Sequence, residues 1–323
     1  MRGQTLIPGD AAVDAKSRIP RALAIAGSDS GGGAGIQADL KAFAVCGVHG
    51  MTAITALTAQ NTVGVTAVHS VPPEMILAQV RAVLSDIGVD AVKIGMLGTV
   101  VAIRAVAQAL DELGPEIPVV LDPVMVAESG AVLLEPAARR ELVSVLLPRA
   151  TVITPNLPEA RALLASYSSG GAEGAGGRPS EGAGGRPSEG AGGQPSEGAE
   201  IEELARRLRR LGPQVVVITG GHRQQATDLF FDGYSLIELP GERHQTGAAH
   251  GSGCTHSSVL AARLAHGDTP LQAAQVAKRL ASQAVRDGLH ELGAGAGPVD
   301  VLGLRAANAG PAGRLGGRQA TRG

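Results

Sequence analysis

The chain has 323 residues, 44% of them hydrophobic, with a formal net charge of −2, no Trp, 2 Tyr and 3 Phe. That length and apolar fraction support a large globular core packed with aliphatic and alanine side chains. The balanced charge and scarce aromatic rings argue against a nucleic-acid partner, and the lack of any apolar run near the roughly 18–20 residues of a bilayer span argues against a membrane.

Residues 1–20 carry Arg2, Asp10, Asp14, Lys16 and Arg18 and no apolar stretch, which fits a disordered leader and not a signal peptide. The two cysteines, Cys46 and Cys254, lie far apart. They fit a reducing cytoplasm better than a disulfide framework or a Cys-rich zinc site. Leu23–Ala26 reads as a short buried strand stopped by the run Gly27–Gly35. Ile36, Leu40, Phe43 and Ala44 then set a helix to about Cys46, whose thiol falls on the apolar face. Met51 to Leu57 is a second strand, running into Thr58-Ala59-Gln60-Asn61-Thr62.

A regular alternation follows. A helix from Pro73 to Ile87 leads to strand Ala91–Ile94, and one from Val100 to Leu113 leads to strand Val119–Asp122. The helix opening at Pro136 ends near Pro148, before strand Thr151–Thr154. Helices Leu157–Ala165 and Ile201–Leu211 bracket a low-complexity segment at about 168–199, in which Glu-Gly-Ala-Gly-Gly-Arg-Pro-Ser stands at 173–180 and 181–188 and recurs at 189–196 with Gln194 for Arg. With no side chain larger than Ala to bury, those repeats read as a flexible surface insert. Val215–Thr219 is a strand, and Asp232-Gly233 between Leu229–Phe231 and Tyr234–Leu239 signals a hairpin. Helices Thr255–Ala265 and Pro270–Gly288 close the domain at about 304, and 305–323 read as a disordered tail. Alternating strands and helices predict a mostly parallel sheet with helices on both faces, its ligand site beyond the carboxyl ends of the strands.

Several residues at those ends carry chemistry, each with a plainer reading. Gly251-Ser252-Gly253-Cys254-Thr255 opens a helix, where free N–H groups and the helix dipole suit a phosphate; it also reads as a simple helix entrance. Gly33-Ala34-Gly35-Ile36-Gln37-Ala38 spells G-x-G-x-x-A, but too far from its strand and with Gln60-Asn61 where an acidic residue belongs. That speaks against a nicotinamide cofactor, and no lysine completes a P-loop. Asp39 reads either as a ligand contact or as a solvated helix carboxylate. Gln60 donates and accepts, which suits a heteroaromatic edge. Asp122, Glu159 and Asn156 suit a Mg²⁺ ion held through water, or helix capping. His222 and His250 are too isolated to ligate a metal.

Together these segments resemble the hydroxymethylpyrimidine/phosphomethylpyrimidine kinases of thiamine synthesis, in the ribokinase-like superfamily. The resemblance rests on Ala26–Lys41, Thr58–Thr62, Lys93–Leu97, Leu121–Met125, Thr154–Ala160, Gly220-Gly221-His222 and His250–Thr255. It implies a three-layer sandwich and an ATP- and Mg²⁺-dependent kinase that phosphorylates 4-amino-5-hydroxymethyl-2-methylpyrimidine and then its monophosphate, as a homodimer. It places Gly27, Asp39, Thr58, Gln60, Met96 and Val124 around the pyrimidine and makes Gly251, Ser252, Gly253 and Cys254 the anion hole. Cys254 stands as candidate base, its pKa lowered by the helix start. Thr219, Gly220 and Asn156 fall on the nucleotide, Asp122 and Glu159 on the metal. A pyridoxine or pyridoxal kinase of the same fold, and a non-catalytic pyrimidine-binding protein, are the alternatives. Two positions depart from the family pattern. Thr219 stands for a lysine, and Ala249 for a threonine.

Overall fold

The computed structural model describes residues 18–170, 197–221, 226–245 and 248–308. The 173–196 repeats, His222, most of the 1–20 leader and most of the 305–323 tail lie outside the described residues. The strands are β1 (Arg21–Asp29), β2 (His49–Gln60), β3 (Val65–Ser70), β4 (Ala91–Ile94), β5 (Val119–Leu121), β6 (Val152–Ile153), β7 (Val215–Ile218), β8 (Asp228–Phe231) and β9 (Leu236–Leu239). The helices are α1 (Gly35–Val45), α2 (Pro73–Asp86), α3 (Val100–Leu110), α4 (Pro136–Glu141), α5 (Leu157–Gly170), α6 (Glu197–Arg210), α7 (Ser252–Ala265), α8 (Pro270–Arg286) and α9 (Leu304–Asn308).

The strands form one 9-stranded sheet in the order β3-β2-β1-β4-β5-β6-β7-β8-β9. Strands β2, β1, β4, β5, β6 and β7 run parallel, while β3 and the β8–β9 hairpin add antiparallel edges. Successive side chains of a strand face opposite ways, and the two faces have different partners. Leu23, Ile25, Val92, Ile94, Leu121 and Ile153 pack under α2 to α6. Ala22, Ala24, Val120 and Val152 face α1, α7 and α8, themselves lined by Ala42, Ala261, Ala262, Ala273, Ala274 and Ala277. Alanine on both sides of that second layer lets α7 sit close to the sheet, and α7 carries Cys254. The expected three-layer α/β sandwich is the observed fold.

Local chemistry sets the element ends. Thr269 caps α8 with a reciprocal Gln272 contact and Pro270 at its first position. The segment from Pro136 is α-helical only to Glu141, then widens to a π turn over Leu142–Leu146 and closes in a 3₁₀ turn at Pro148, because proline withholds an N–H.

Three features depart from the sequence reading. Strand β3 was not expected; its residues are almost all exposed, so burial leaves no mark on its pattern. Strand β2 continues through Thr58 to Gln60, pairing Thr58 with Asp29 and Gln60 with Val65, so those two side chains sit on a strand and not a loop. Strand β1 likewise runs past Ala26 through a register shift to Asp29. Among the described residues no helix is long and apolar enough to cross a membrane.

Candidate active site

The carboxyl ends of β1, β2, β4, β5 and β7 and the first turn of α7 converge on one edge. Asp29, at the end of β1, accepts hydrogen bonds from the N–H groups of Gly31 (2.8 Å), Gly33 (3.0 Å) and Ala34 (2.9 Å). Its Oδ2 also lies 3.0 Å from His250 Nε2. Burial works against the Asp29 charge, but His250 and those amides outweigh it and hold the carboxyl below its usual range. The donors of the glycine run therefore turn inward on Asp29, which removes the physical basis of a dinucleotide cradle there. A Cβ on Gly33 would lie 2.2 Å from the His250 ring. The glycine run and the α7 entrance are thus locked face to face.

Gly251 opens α7 with φ of 82° and no side-chain cap. A Cβ there would lie 1.8 Å from Gly33 O, so only glycine fits. The Ser252 N–H bonds Ala249 O and the Thr255 N–H bonds Gly251 O. Between them, the amides of Gly253 and Cys254 have no acceptor among the described residues. Two free donors at a helix start suit an anion.

Cys254 is a free, half-buried thiol with the Gly35 N–H directed at it. Burial pushes its pKa up to about 12; Lys93 and the Gly35 amide oppose the rise, and Asp122 and Asp39 add to it. This corrects the lowered thiol expected from the helix start. Desolvation and two nearby carboxylates outweigh the helix, and the thiol stays protonated at neutral pH.

Beneath Cys254 lies a buried charge cluster. Lys93 on β4 donates to Asp39 Oδ1 at 2.7 Å, and both side chains are fully buried. Ser258 on α7 donates to the same oxygen at 2.7 Å. Its neighbour Ser257 donates to Asp122 Oδ2 at 2.9 Å. Burial opposes the Lys93 charge, but Asp39, Cys254 and Asp122 outweigh it and hold the ammonium above the usual lysine range. Burial pushes Asp39 up against the pull of Lys93. The solvated reading of Asp39 is therefore wrong, and its carboxylate contacts Lys93 and Ser258 directly.

Asp122 and Glu159 face one another electrostatically. Burial first and the Asp122 charge second push Glu159 up to about 8, against donors from Asn156 and Met125. Asp122 is raised chiefly by burial. Asn156 and Glu159 also cap α5 reciprocally: Asn156 N–H bonds Glu159 Oε2 and Glu159 N–H bonds Asn156 Oδ1, both at 2.9 Å. A buried carboxylate and a half-buried one whose acidity it weakens fit a hard cation. Among the described residues no group of three or more His, Cys, Asp or Glu side chains is placed to hold a metal ion by itself.

The residues expected around the pyrimidine are held by contacts of their own. Thr58 Oγ1 lies 2.9 Å from Ser28 O and 3.1 Å from Gln60 Oε1, its single proton serving one at a time, which keeps the Gln60 amide beside it. Thr55 Oγ1 holds Met96 O at 2.7 Å. A Cβ on Gly27 would come within 3.1 Å of Met96 Sδ, so glycine leaves that sulfur its place. Val124 is half-buried and donates its N–H to Asp122 O.

On the far side, Thr219 N–H bonds Pro155 O and pairs beside Asn156. Gly220 N–H bonds Asp228 Oδ1 at 2.8 Å, and Lys278 Nζ reaches the same oxygen at 2.6 Å. Lys278 also lines a cleft of about 430 Å³ with Pro240, Gly241, His244, Gln275 and Ser282. Sequence reasoning missed Lys93, Asp29 and Lys278 as site residues. Lys93 did leave a signal, a charge inside the apolar run Ala91-Val92-Lys93-Ile94.

Comparison with known proteins agrees with this geometry. A family profile described as phosphomethylpyrimidine kinase matches residues 29–173 and 191–300. A hydroxymethylpyrimidine/phosphomethylpyrimidine kinase of Rhizobium meliloti is 46% identical over 86% of this chain and 95% of its own length. One of Bacillus subtilis is 40% identical over 87% and 94%. Among solved structures, an ADP complex of a Bacillus subtilis pyridoxal kinase has a TM-score of 0.73 at 35% identity, covering 89% of this chain and 99% of that one. A phosphomethylpyrimidine kinase of Clostridium difficile has a TM-score of 0.65 at 34% identity, covering 83% and 100%. The chain belongs to the phosphomethylpyrimidine kinase family.

Proposed function

We propose that this chain transfers phosphate from ATP to the hydroxymethyl group of 4-amino-5-hydroxymethyl-2-methylpyrimidine and then to the resulting monophosphate, in the synthesis of thiamine diphosphate. The observation that carries the reading is the pair of free amides at Gly253 and Cys254, set beside the Asp122 and Glu159 carboxylates on one sheet edge. Phosphoryl transfer needs positioning and charge neutralisation more than covalent chemistry, and these groups supply both.

Gln60, fixed by Thr58, reads the pyrimidine edge, with Gly27, Met96 and Val124 as walls. The substrate oxygen lies over Cys254. The free amides receive the charge of the transferring phosphoryl group, where each such donor is worth roughly 10²–10³ in rate. Because the thiol is protonated at rest, Cys254 receives the hydroxymethyl proton only in its ionised fraction, and the proton leaves late in a loose transition state. Asp122 and Glu159 would hold Mg²⁺ through water, and the ion when bound neutralises phosphate charge. The nucleotide runs along Thr219 and Gly220, past Asn156, toward the cleft at Lys278. That lysine supplies a cation near the place where Thr219 supplies none.

The enzyme acts in the cytoplasm, where its two free cysteines stay reduced. Two copies pair through the sheet edge at β3, where Val68 of β3, Val63 of the turn before it and Leu57 of β2 are 50%, 65% and 48% exposed; light scattering checks the dimer. Pyridoxal phosphorylation is the second reading, favoured by the likeness to pyridoxal kinase structures. Parallel assays of ADP formation with the pyrimidine, its monophosphate and pyridoxal test both. Faster turnover of pyridoxal would replace the pyrimidine reading, and no ADP with any of them would leave only binding.

A further inference from the structure

Lys93 is a fully buried lysine in the middle of a four-residue strand. Taking an ammonium out of water costs several kcal/mol even after relaxation, and an apolar side chain of similar volume would serve packing as well. Its pair is not arranged for stability alone. Lys93 can donate three hydrogen bonds and makes one to a side chain, to Asp39, while Asp39 Oδ2 is buried with no partner. Unsatisfied polar atoms in a core point to a use beyond packing.

The placement indicates that use. A Cβ on Gly95 would lie 2.9 Å from Lys93 Nζ, so the ammonium occupies the space a side chain there would fill. It therefore sits at the carboxyl end of β4, directly below the turn that carries Met96. Asp39, its partner, comes from α1 and is also bonded by Ser258 of α7. One residue earlier on α7, Ser257 bonds Asp122 and also the carbonyl of Cys254 at 3.1 Å. Consecutive serines thus tie the first turns of α7 to two buried carboxylates on different elements. Lys93 is the cation acting on both carboxylates and on Cys254.

We propose that Lys93 is a positioning residue for phosphoryl transfer: through Asp39 and Ser258 it fixes the first turns of α7, and its charge offsets Asp39 and Asp122 so that negative charge can develop at Cys254. The meaning of this role rests on the kinase reading. The test is thiol alkylation, which needs no turnover, so failure of one is distinguishable from failure of the other.

The probe is iodoacetamide at pH 9, applied to the full chain carrying Cys46→Ala, so that Cys254 is the remaining thiol. Lys93→Met should slow alkylation about tenfold, since one unit of thiol pKa changes the thiolate fraction tenfold. Asp39→Asn, which removes the opposing charge, should speed it by a similar factor. A purely structural role predicts the same sign for both, because loosening the floor exposes the thiol in either variant. In kinase assays Lys93→Met should lower kcat at least 100-fold with KM for the pyrimidine changed less than threefold. Equal or faster alkylation in Lys93→Met, or equal or slower alkylation in Asp39→Asn, overturns the proposal. If Lys93→Met does not fold, Lys93→Gln takes its place beside Asp39→Asn, with the same slowing expected and equal or faster alkylation overturning the proposal.

Discussion

Helices α5 and α7 begin at the same edge of the sheet, and they begin differently. At α5, Asn156 and Glu159 satisfy each other's backbone amides. At α7, bare Gly251 leaves the amides of Gly253 and Cys254 open. Every helix start has unpaired donors to satisfy. A start that satisfies its own gains stability, and one that leaves them open at a site edge keeps donors that an anion can take. On the proposed function α7 is the reacting end of the site and α5 the scaffold end, although both contribute side chains to it.

The sharpest break in this contrast is at Gly251. Gly251→Ala places a methyl group 1.8 Å from Gly33 O in a backbone with positive φ. The α7 entrance must then move away from the glycine run and misalign both free amides. Activity should fall at least 10³-fold, at the upper end of what one lost oxyanion donor costs. Steady-state kinetics at saturating ATP, with circular dichroism to verify folding, checks this; turnover within tenfold of the parent would show that the amides are not aimed at the reaction.

Next in size is Cys254→Ala. It keeps the amides and removes the sulfur, so it separates the cradle from the thiol within it. We expect kcat to fall about 10²–10³-fold, in the range of a lost general base, with KM for the pyrimidine within threefold. An unchanged kcat would assign all the work of this turn to its backbone.

The contrast also explains what was readable in the sequence. The βα alternation was legible because buried strands and amphipathic helices differ in period. The Asp232-Gly233 hairpin was legible because Gly233, with φ of 100°, follows turn chemistry. Gly251 to Thr255 stood out because small residues at a helix start permit close approach, although a simple helix entrance reads the same and the other motifs had to decide. Strand β3 left no sign because neither of its faces is buried. The Lys93–Asp39 pair is separated by 54 positions, and no local pattern joins partners that distant. The raised pKa of Cys254 was misread for the same reason, since it depends on burial and on carboxylates brought from α1 and β5.

A smaller effect tests the α5 side through pH. The folded pKa of Glu159 lies at about 8, above its ordinary 4.5. Between those values the folded protein binds more protons than the unfolded chain, so metal-free stability falls as pH rises through that window. Asp122, also raised, acts with the same sign. Melting temperature in EDTA should decline from about pH 5 to pH 8, and Glu159→Gln should flatten part of the decline. Added Mg²⁺ should raise the melting temperature more at pH 8 than at pH 6, because it binds the ionised carboxylates. A Mg²⁺ effect independent of pH would separate these carboxylates from the metal.

The smallest effect belongs to the cap itself. Asn156→Ala removes the oxygen that accepts the Glu159 N–H and frees Glu159 from half of the reciprocal box. Loss of such a cap costs about 1 kcal/mol, within roughly 0.5–2, which urea denaturation resolves. If α5 is scaffold, kcat should fall less than tenfold and KM for the pyrimidine should not change. A kcat loss as large as that of Cys254→Ala, at the same modest cost in stability, would mean that Asn156 touches the nucleotide directly. The capped helix would then belong to the reacting end as fully as the open one.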